Sequence, residues 1–286
     1  MFEDEWTIAA AREWGLWQLE PFIVDDVERQ AQVDYVLTGL MEWNYAQLAN
    51  NVNTVLADDV LTHFKEAIKK IKAGQPVQYA LGQAAFFGRE FVVDERVLIP
   101  RQETEELVAW ALDSFSPLAP VQVLDLGTGS GAIAITVANE RPHWVVTVSD
   151  VSRSALSVAK LNAQRLGAAV EFVESDLFTN IKPEFDLIIS NPPYISENEK
   201  TAMDQSVLDY EPALALFADH DGLAVYEALA QQLLEHLKVG GQAYFEIGYQ
   251  QGPAVVKLFK QLPHVSVKLK QDMSGHDRMV QLKREA

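Results

Sequence analysis

Asn191-Pro192-Pro193-Tyr194 places a side-chain amide, two rigid imides and a phenol directly after the apolar run Phe185-Asp186-Leu187-Ile188-Ile189-Ser190, which reads as a buried strand. Each proline fixes φ and withdraws a backbone donor, so neither extends a strand or opens a central helical turn freely. Their carbonyls are left to accept hydrogen bonds from elsewhere. The Asn191 side-chain oxygen and the Pro192 carbonyl can then converge on one planar NH2 group while the Tyr194 ring lies against its π face. Such a pocket suits an enzyme acting on an amide or exocyclic amine nitrogen. The bland alternative is a strand-to-loop stop with a surface tyrosine, and a tetrapeptide alone decides little.

A second constellation lies upstream. Val123-Leu124-Asp125-Leu126 runs into Gly127-Thr128-Gly129-Ser130-Gly131, which opens a helix. Glycine permits positive φ and close approach of a ligand to the backbone. The helix N-terminus adds free N–H groups and a positive dipole end, favouring a carboxylate or phosphate. Asp150 ends the next strand about 20 residues on, the usual distance for an acid that accepts from ribose hydroxyls. Two cofactor classes use this arrangement. Gly127, Gly129 and Ala132 satisfy the alanine variant of the nicotinamide G-x-G-x-x-G pattern, whereas Gly127, Gly129 and Gly131 fit the G-x-G-x-G of adenosylmethionine enzymes. The loop by itself leaves both open. A third strand ends in Glu174-Ser175-Asp176-Leu177, where ligands of open α/β sheets bind. Asp176 can accept from an adenine amino group there, and the Leu177 backbone can bond a ring nitrogen. An Asp at that point also commonly caps the next helix. With Asn191 ending a fourth strand, these parts stand in the order a class I methyltransferase requires.

The elements that must carry these residues follow from periodicity. From Pro120, strands at 121–126, 144–148, 170–173, 185–190, 242–247, 265–269 and 279–282 alternate with helices at about 130–140, 154–167, 222–238 and 253–262. This predicts an α/β fold: a mostly parallel seven-stranded sheet covered on both faces, with an antiparallel last strand after a short glycine turn. A helix from Thr104, with Glu105 and Glu106 in its acid-favouring first turn, runs to Ser116-Pro117. Phe86–Val93 and Val97–Pro100 read as a hairpin or pair of short strands.

Residues 1–74 are helical in pattern. Trp6, Ala10, Trp14 and Trp17 recur at helical spacing, as do Val33, Leu37, Leu40 and Met41, and Val60, Phe64, Ala67, Ile68 and Ile71. Core packing is the commoner cause of an aromatic stripe, ahead of a recognition surface. Lys65, Lys69, Lys70 and Lys72 fall on the polar face of the last helix and read as solvated. Gly74-Gln75-Pro76 breaks the pattern. The expected division is a helical domain at 1–74, a linker with a β-hairpin at 75–100, and a methyltransferase domain at 101–286.

Composition narrows the partners. A formal charge of −18 opposes a broad phosphate-binding surface. Zero cysteine removes disulfides, thiolate zinc sites and a cysteine nucleophile. The histidines are scattered without metal-ligand spacing. No secretory h-region or run of about 18 apolar residues is present, so a soluble cytoplasmic protein is expected.

Taken together, these residues resemble the bacterial glutamine N5-methyltransferases that modify peptide chain release factors. The likeness runs from about Pro76 onward, through Phe86–Val93, Val97-Leu98-Ile99-Pro100-Arg101, Glu103-Thr104-Glu105, the segments 123–135 and 185–195, Tyr210-Glu211-Pro212, Asp221-Gly222-Leu223, Glu246-Ile247-Gly248 and Gly275-His276-Asp277-Arg278. The resemblance implies a class I, Rossmann-like enzyme that uses S-adenosylmethionine, releases S-adenosylhomocysteine and needs no metal. It implies that Gly127 to Gly131, Asp150, Leu177 and Asn191 bind the cofactor, and that Asn191, Pro192, Pro193 and Tyr194 hold the substrate glutamine and are catalytic. Phe87, Pro100, Arg101, Glu103 and Thr104 would help close the cofactor pocket. The helical region 1–74 would be the recognition domain. Two positions depart from the family pattern: Gln102, where proline is usual, and Leu177, where an aromatic residue is frequent.

The implied partners are class I release factors, methylated at the glutamine of their Gly-Gly-Gln loop by a monomeric enzyme, with no direct nucleic-acid or membrane contact. Three other readings use the same features. They are glutamine methylation of a ribosomal protein, an adenine-N6-type nucleic-acid methyltransferase acting on a flipped base, and a non-catalytic factor that binds adenosylmethionine or a translation protein.

Overall fold

A computed structural model describes residues 6–182 and 184–286. The described chain separates into two compact units. One runs to Gln83 and takes in Asp204–Tyr210; the other comprises Ala84–Met203 and Glu211–Ala286.

The first unit is built from α1 (Ile8–Leu19), α2 (Asp26–Met41), α3 (Tyr45–Asn50), α4 (Asp58–Lys72) and α5 (Val77–Leu81). Side-chain caps begin several of these helices. Thr7 Oγ1 accepts from the Ala10 N–H and Asp25 Oδ1 from the Glu28 N–H, each satisfying a donor the helix cannot. In α4, Asp58 and Asp59 open the helix and Lys69, Lys70 and Lys72 close it, matching both ends of the dipole. The core joins Ile8, Ala11 and Leu19 to Val33, Val36 and Leu37 and to Phe64, Ile68 and Ile71.

The tryptophan stripe is not the buried face of α1. Ile8, Ala11, Gly15 and Leu19 are buried, while Trp17 is 64% exposed. Packing decides this: a Cβ on Gly15 would stand 2.9 Å from Phe64, so only small residues fit where α1 lies closest. Trp6 and Trp14 meet edge-on at the margin of this core, and the Lys65 ammonium covers the Trp6 ring at 4.0 Å. Lys69 and Lys70 are solvated as expected, whereas Lys72 donates to Gln18. The returning segment closes on this unit through Tyr210, whose hydroxyl donates to the Ala73 carbonyl.

The second unit begins with the hairpin β1 (Gln83–Phe86) and β2 (Arg89–Val92), turned at Phe87 and Gly88, both of positive φ. No strand forms over Val97–Pro100. Pro100 has no donor, and the Ile99 N–H points to Glu211 Oε2 at 3.4 Å rather than to a neighbouring strand. The next helix, α6 (Gln102–Asp113), starts two residues before the expected Thr104. The alternating part then follows: β3 (Gln122–Leu126), α7 (Ala132–Glu140), β4 (Val145–Asp150), α8 (Arg153–Leu166), β5 (Val170–Glu174) and β6 (Phe185–Ser190). After β6 come a 3₁₀ turn (Glu197–Ala202), the short helices α9 (Gln205–Tyr210), α10 (Ala213–Leu216) and α11 (Asp219–Gly222), and then α12 (Ala224–His236). The chain ends with β7 (Leu237–Glu246), α13 (Gly252–Phe259), β8 (Val265–Gln271) and β9 (Asp277–Arg284).

The seven-stranded sheet has the order β5-β4-β3-β6-β7-β9-β8. The first five strands in that order are parallel, and β9 runs antiparallel between β7 and β8. The antiparallel last strand was expected; its place inside the sheet is decided by pairing with β7. Period-two alternation sends Val123, Leu187 and Ile189 to one face, with α6 and α7, and Leu124, Leu126 and Ile188 to the other, with α12 and α13. Both faces are covered, so β3 and β6 read as continuous apolar runs. Strand order reverses at the β3–β6 boundary, which leaves a crevice outside their carboxyl ends.

Ile188 is fully buried in the central strand. Ile188→Ala should therefore destabilise the protein by about 2–5 kcal/mol, measured by urea unfolding.

Candidate active site

The carboxyl ends of β3, β4, β5 and β6 open onto one cavity of about 360 Å³, within the range of small-molecule sites. Of the residues singled out from the sequence, Pro100, Arg101, Thr104, Gly127, Thr128, Gly129, Ser130, Asp150, Asp176, Leu177, Asn191, Pro192 and Pro193 line it. Phe87, Glu103, Gly131 and Tyr194 do not. Phe87 forms the hairpin turn, where its N–H donates to Glu105 Oε1, and its neighbour Phe86 reaches the cavity instead. Glu103 sits half-buried in the first turn of α6. Gly131 caps α7 at a φ of 84°, where a Cβ would stand 2.7 Å from Ile135. Val151 and Ser152 also line the wall, and no residue pattern in the sequence marked them.

The glycine loop fits an adenosylmethionine-type cofactor by shape. Gly127 and Gly129 have φ of 74° and 56°, and a Cβ on either would meet nothing within 4 Å, so both present bare backbone to open space. Asp150 braces the loop: its Oδ2 accepts from the Gly129 N–H and its Oδ1 from the Ser152 N–H. Burial raises its pKa above the ordinary carboxylate range. Beneath the loop, Asp125 Oδ2 accepts from the Thr128 hydroxyl and the Ala134 N–H, while its buried Oδ1 has no partner. Burial pushes Asp125 up to about 7. Asn162 ties the hairpin to the loop. It exchanges two hydrogen bonds with the Val92 backbone and donates to the Ser130 carbonyl. The Ser190 hydroxyl joins the ends of β6 and β3 by donating to the Leu126 carbonyl at 2.6 Å.

The Asn-Pro-Pro-Tyr turn is held from behind. Asn191 Nδ2 donates to Thr104 Oγ1 at 3.0 Å, and that hydroxyl donates to Glu246 Oε2 at 2.5 Å. The Tyr194 hydroxyl donates to the other oxygen, Glu246 Oε1, at 3.1 Å. Burial drives Glu246 up to about 7, against the hydrogen bonds from Thr104 and Tyr194 and the charge of Arg278. The buried Tyr194 phenol is raised above its ordinary value, chiefly by burial and then by the Glu246 charge. Gln251 Nε2 donates to the carbonyls of Tyr194 and Asp221. At Gly222 the φ is 80° and a Cβ would stand 2.0 Å from the Tyr194 carbonyl, so the position admits only glycine. Arg101 pairs with the buried Glu211 at 2.5 Å, which anchors the rim of the cavity. Glu246 and Glu211 both stood in segments that marked the family resemblance, without a role. A carboxylate ending an apolar strand was the available signal for Glu246.

Residues 11–82 match the family described as PrmC N-terminal domain, and residues 108–210 match Methyltransferase small domain. A methyltransferase from Pyrococcus furiosus shares the fold, with a TM-score of 0.53 at 18% identity over 78% of this chain and 98% of its own. Fold, glycine loop and domain match together define an S-adenosylmethionine-dependent methyltransferase and close the nicotinamide alternative. A release factor glutamine methyltransferase of Lactococcus lactis subsp. lactis is 43% identical over 90% of this chain and 96% of its own. The corresponding protein of Streptococcus pneumoniae is 41% identical over 91% and 94%. The chain belongs to the release factor glutamine methyltransferase family.

Gly222→Ala should cost more than about 1 kcal/mol in thermal unfolding, because it adds positive-φ strain to a clash with the active-site turn. The raised Asp125 sets a pH dependence. Its folded value of about 7 lies above the ordinary 3.8, so its stabilising contribution is complete below the unfolded value and is lost as pH rises through the folded one. Melting temperature should decline across that window, and Asp125→Asn should flatten the decline.

Proposed function

We propose that this protein transfers a methyl group from S-adenosylmethionine to the side-chain amide nitrogen of the glutamine in the Gly-Gly-Gln loop of class I release factors. The observation that carries this reading is that Asn191 and the two prolines line the same cavity as the glycine loop and Asp150. An amide acceptor pair thus stands beside a cofactor cradle. The family membership supports the substrate class.

S-adenosylmethionine, when bound, supplies an electrophilic methyl on a positively charged sulfur. The loop from Gly127 to Gly131 would hold its amino-acid end, Asp150 the ribose, and Asp176 with the Leu177 backbone the adenine. An amide nitrogen is a poor nucleophile, because its lone pair is shared with the carbonyl. Fixing it in line for attack lowers the barrier by several kcal/mol by restricting its freedom beforehand. The Asn191 oxygen and the Pro192 carbonyl accept its two N–H bonds and stabilise positive charge as it develops on nitrogen. The prolines stiffen the backbone that carries the Pro192 carbonyl. Tyr194 lies outside the cavity lining; its hydroxyl donates to Glu246 and its ring packs against the core beside β7 and α12, so it would anchor the turn that presents the acceptors. The alkylated amide is a strong acid and loses its proton without a dedicated base.

The helical N-terminal unit is proposed to grip the release factor away from that loop. It carries exposed apolar side chains at Trp17, Phe22, Val24 and Val27.

Asn191→Ala should lower kcat by about 10²–10³-fold, as expected for loss of a transition-state acceptor, and cofactor affinity measured by calorimetry should fall far less. Labelled adenosylmethionine, purified release factor and mass mapping should place the methyl on the Gly-Gly-Gln glutamine. Label on RNA or DNA, with none on the factor, would defeat the reading. A Trp17→Ala, Phe22→Ala double variant should raise KM for whole release factor and leave KM for a Gly-Gly-Gln peptide unchanged.

A further inference from the structure

The carboxamide of Asn191 has two nearly isosteric orientations, and shape alone does not choose between them. Only one presents an acceptor to a substrate NH2 group. The other presents a second NH2 group and repels it. Within the reading above, catalysis therefore depends on what fixes the orientation.

The chain of hydrogen bonds behind the turn supplies an answer. A threonine hydroxyl has one proton. Glu246 Oε2 lies 2.5 Å from Thr104 Oγ1, and Asn191 Nδ2 lies 3.0 Å from the same oxygen. Glu246 as a carboxylate can only accept. Its second oxygen is already engaged by the Tyr194 hydroxyl, so neither oxygen is left to turn elsewhere. Thr104 must then spend its proton on Glu246 and can only accept from Asn191, which directs Asn191 Nδ2 inward and turns Oδ1 toward the cavity. We propose that Glu246, acting through the Thr104 hydroxyl, is a positioning residue that holds the Asn191 carboxamide with its oxygen facing the substrate nitrogen.

Reversal follows from the same geometry. A proton on Glu246 Oε2 would donate to Thr104, whose own proton would then point at Asn191 and favour the flipped amide. The groups facing Glu246 are Thr104 and Glu103 of α6, Tyr194 of the turn, Arg278 of β9 and Tyr226 of α12, whose hydroxyl donates to the Glu246 carbonyl. Burial among them brings the carboxylate into the physiological range, so its charge, and with it the orientation, responds to pH near neutrality.

The test compares wild type with Thr104→Val, Thr104→Ser and Glu246→Gln, using purified release factor, labelled adenosylmethionine, calorimetry for the cofactor, and thermal melting. Thr104→Val should lower kcat by about tenfold or more with KM and cofactor affinity changed by less than about threefold, and Thr104→Ser should recover most of the loss. The wild-type rate should climb with pH from about 6 to 8, and Glu246→Gln should remove that limb. A Thr104→Val enzyme within about twofold of wild-type kcat overturns the proposal, as does a Glu246→Gln enzyme that keeps the wild-type profile. Should Glu246→Gln fail to fold, the two threonine variants decide. Wild type that leaves the glutamine unmodified sinks the functional reading itself, whereas wild type that methylates it alongside an unimpaired Thr104→Val sinks only this inference.

Discussion

A carboxylate buried at the end of β7 holds the working face of this protein together. Glu246 is 1% exposed, and a carboxylate in that position carries a desolvation cost that hydrogen-bond donors must offset. Its answering donors come from two parts of the chain far apart in sequence, the first turn of α6 and the tyrosine that ends the active-site turn. Satisfying one buried charge therefore draws α6, β7 and the turn after β6 into register. The same bonds leave the turn no freedom to relax toward the sheet.

The glycine loop meets its own constraint in the opposite way. Backbone is bared to the cavity at Gly127 and Gly129 and would be floppy without support. Asp150 holds one side through the Gly129 N–H, Asn162 the other through the Ser130 carbonyl, and Asp125 the floor through Thr128. Two of these three supports are buried carboxylates with raised pKa values. A bare glycine backbone, its N–H groups at Gly127, Thr128, Gly129 and Gly131 already paired within the protein, thus rests on buried polar side chains, which costs stability and yields preorganisation. The chemistry attributed to the site asks for fixed dipoles, and both halves of the cavity supply them.

Much of this architecture was legible beforehand, for identifiable reasons. Strands β3 and β6 are buried on both faces, so their apolar runs stand out from any neighbouring pattern. The glycine spacing after β3 and the acid at the end of β4 are local features whose geometry follows from backbone sterics. Expectations went astray where tertiary fit overrode periodicity. The tryptophans of α1 have helical spacing, yet Gly15 and Ala11 define the close approach and push the indoles to the margin. Val97–Pro100 has strand-like composition, but its donor finds Glu211 rather than a neighbouring strand. The short helices between β6 and α12 carry little periodic signal, and nothing local foretold that Asp204–Tyr210 would join the first unit.

The amino-acid sequence by itself determined the order of strands and helices, the glycine loop, the rigid proline turn and the family to which they belong, because each is a short-range consequence of residue type. Tertiary structure alone decided which side chains stand behind that turn. Thr104, Asn191 and Glu246 meet across separations of 87 and 142 residues. No spacing rule spans such distances; only the sheet order, which sets β6 beside β7 under α6, brings the three together.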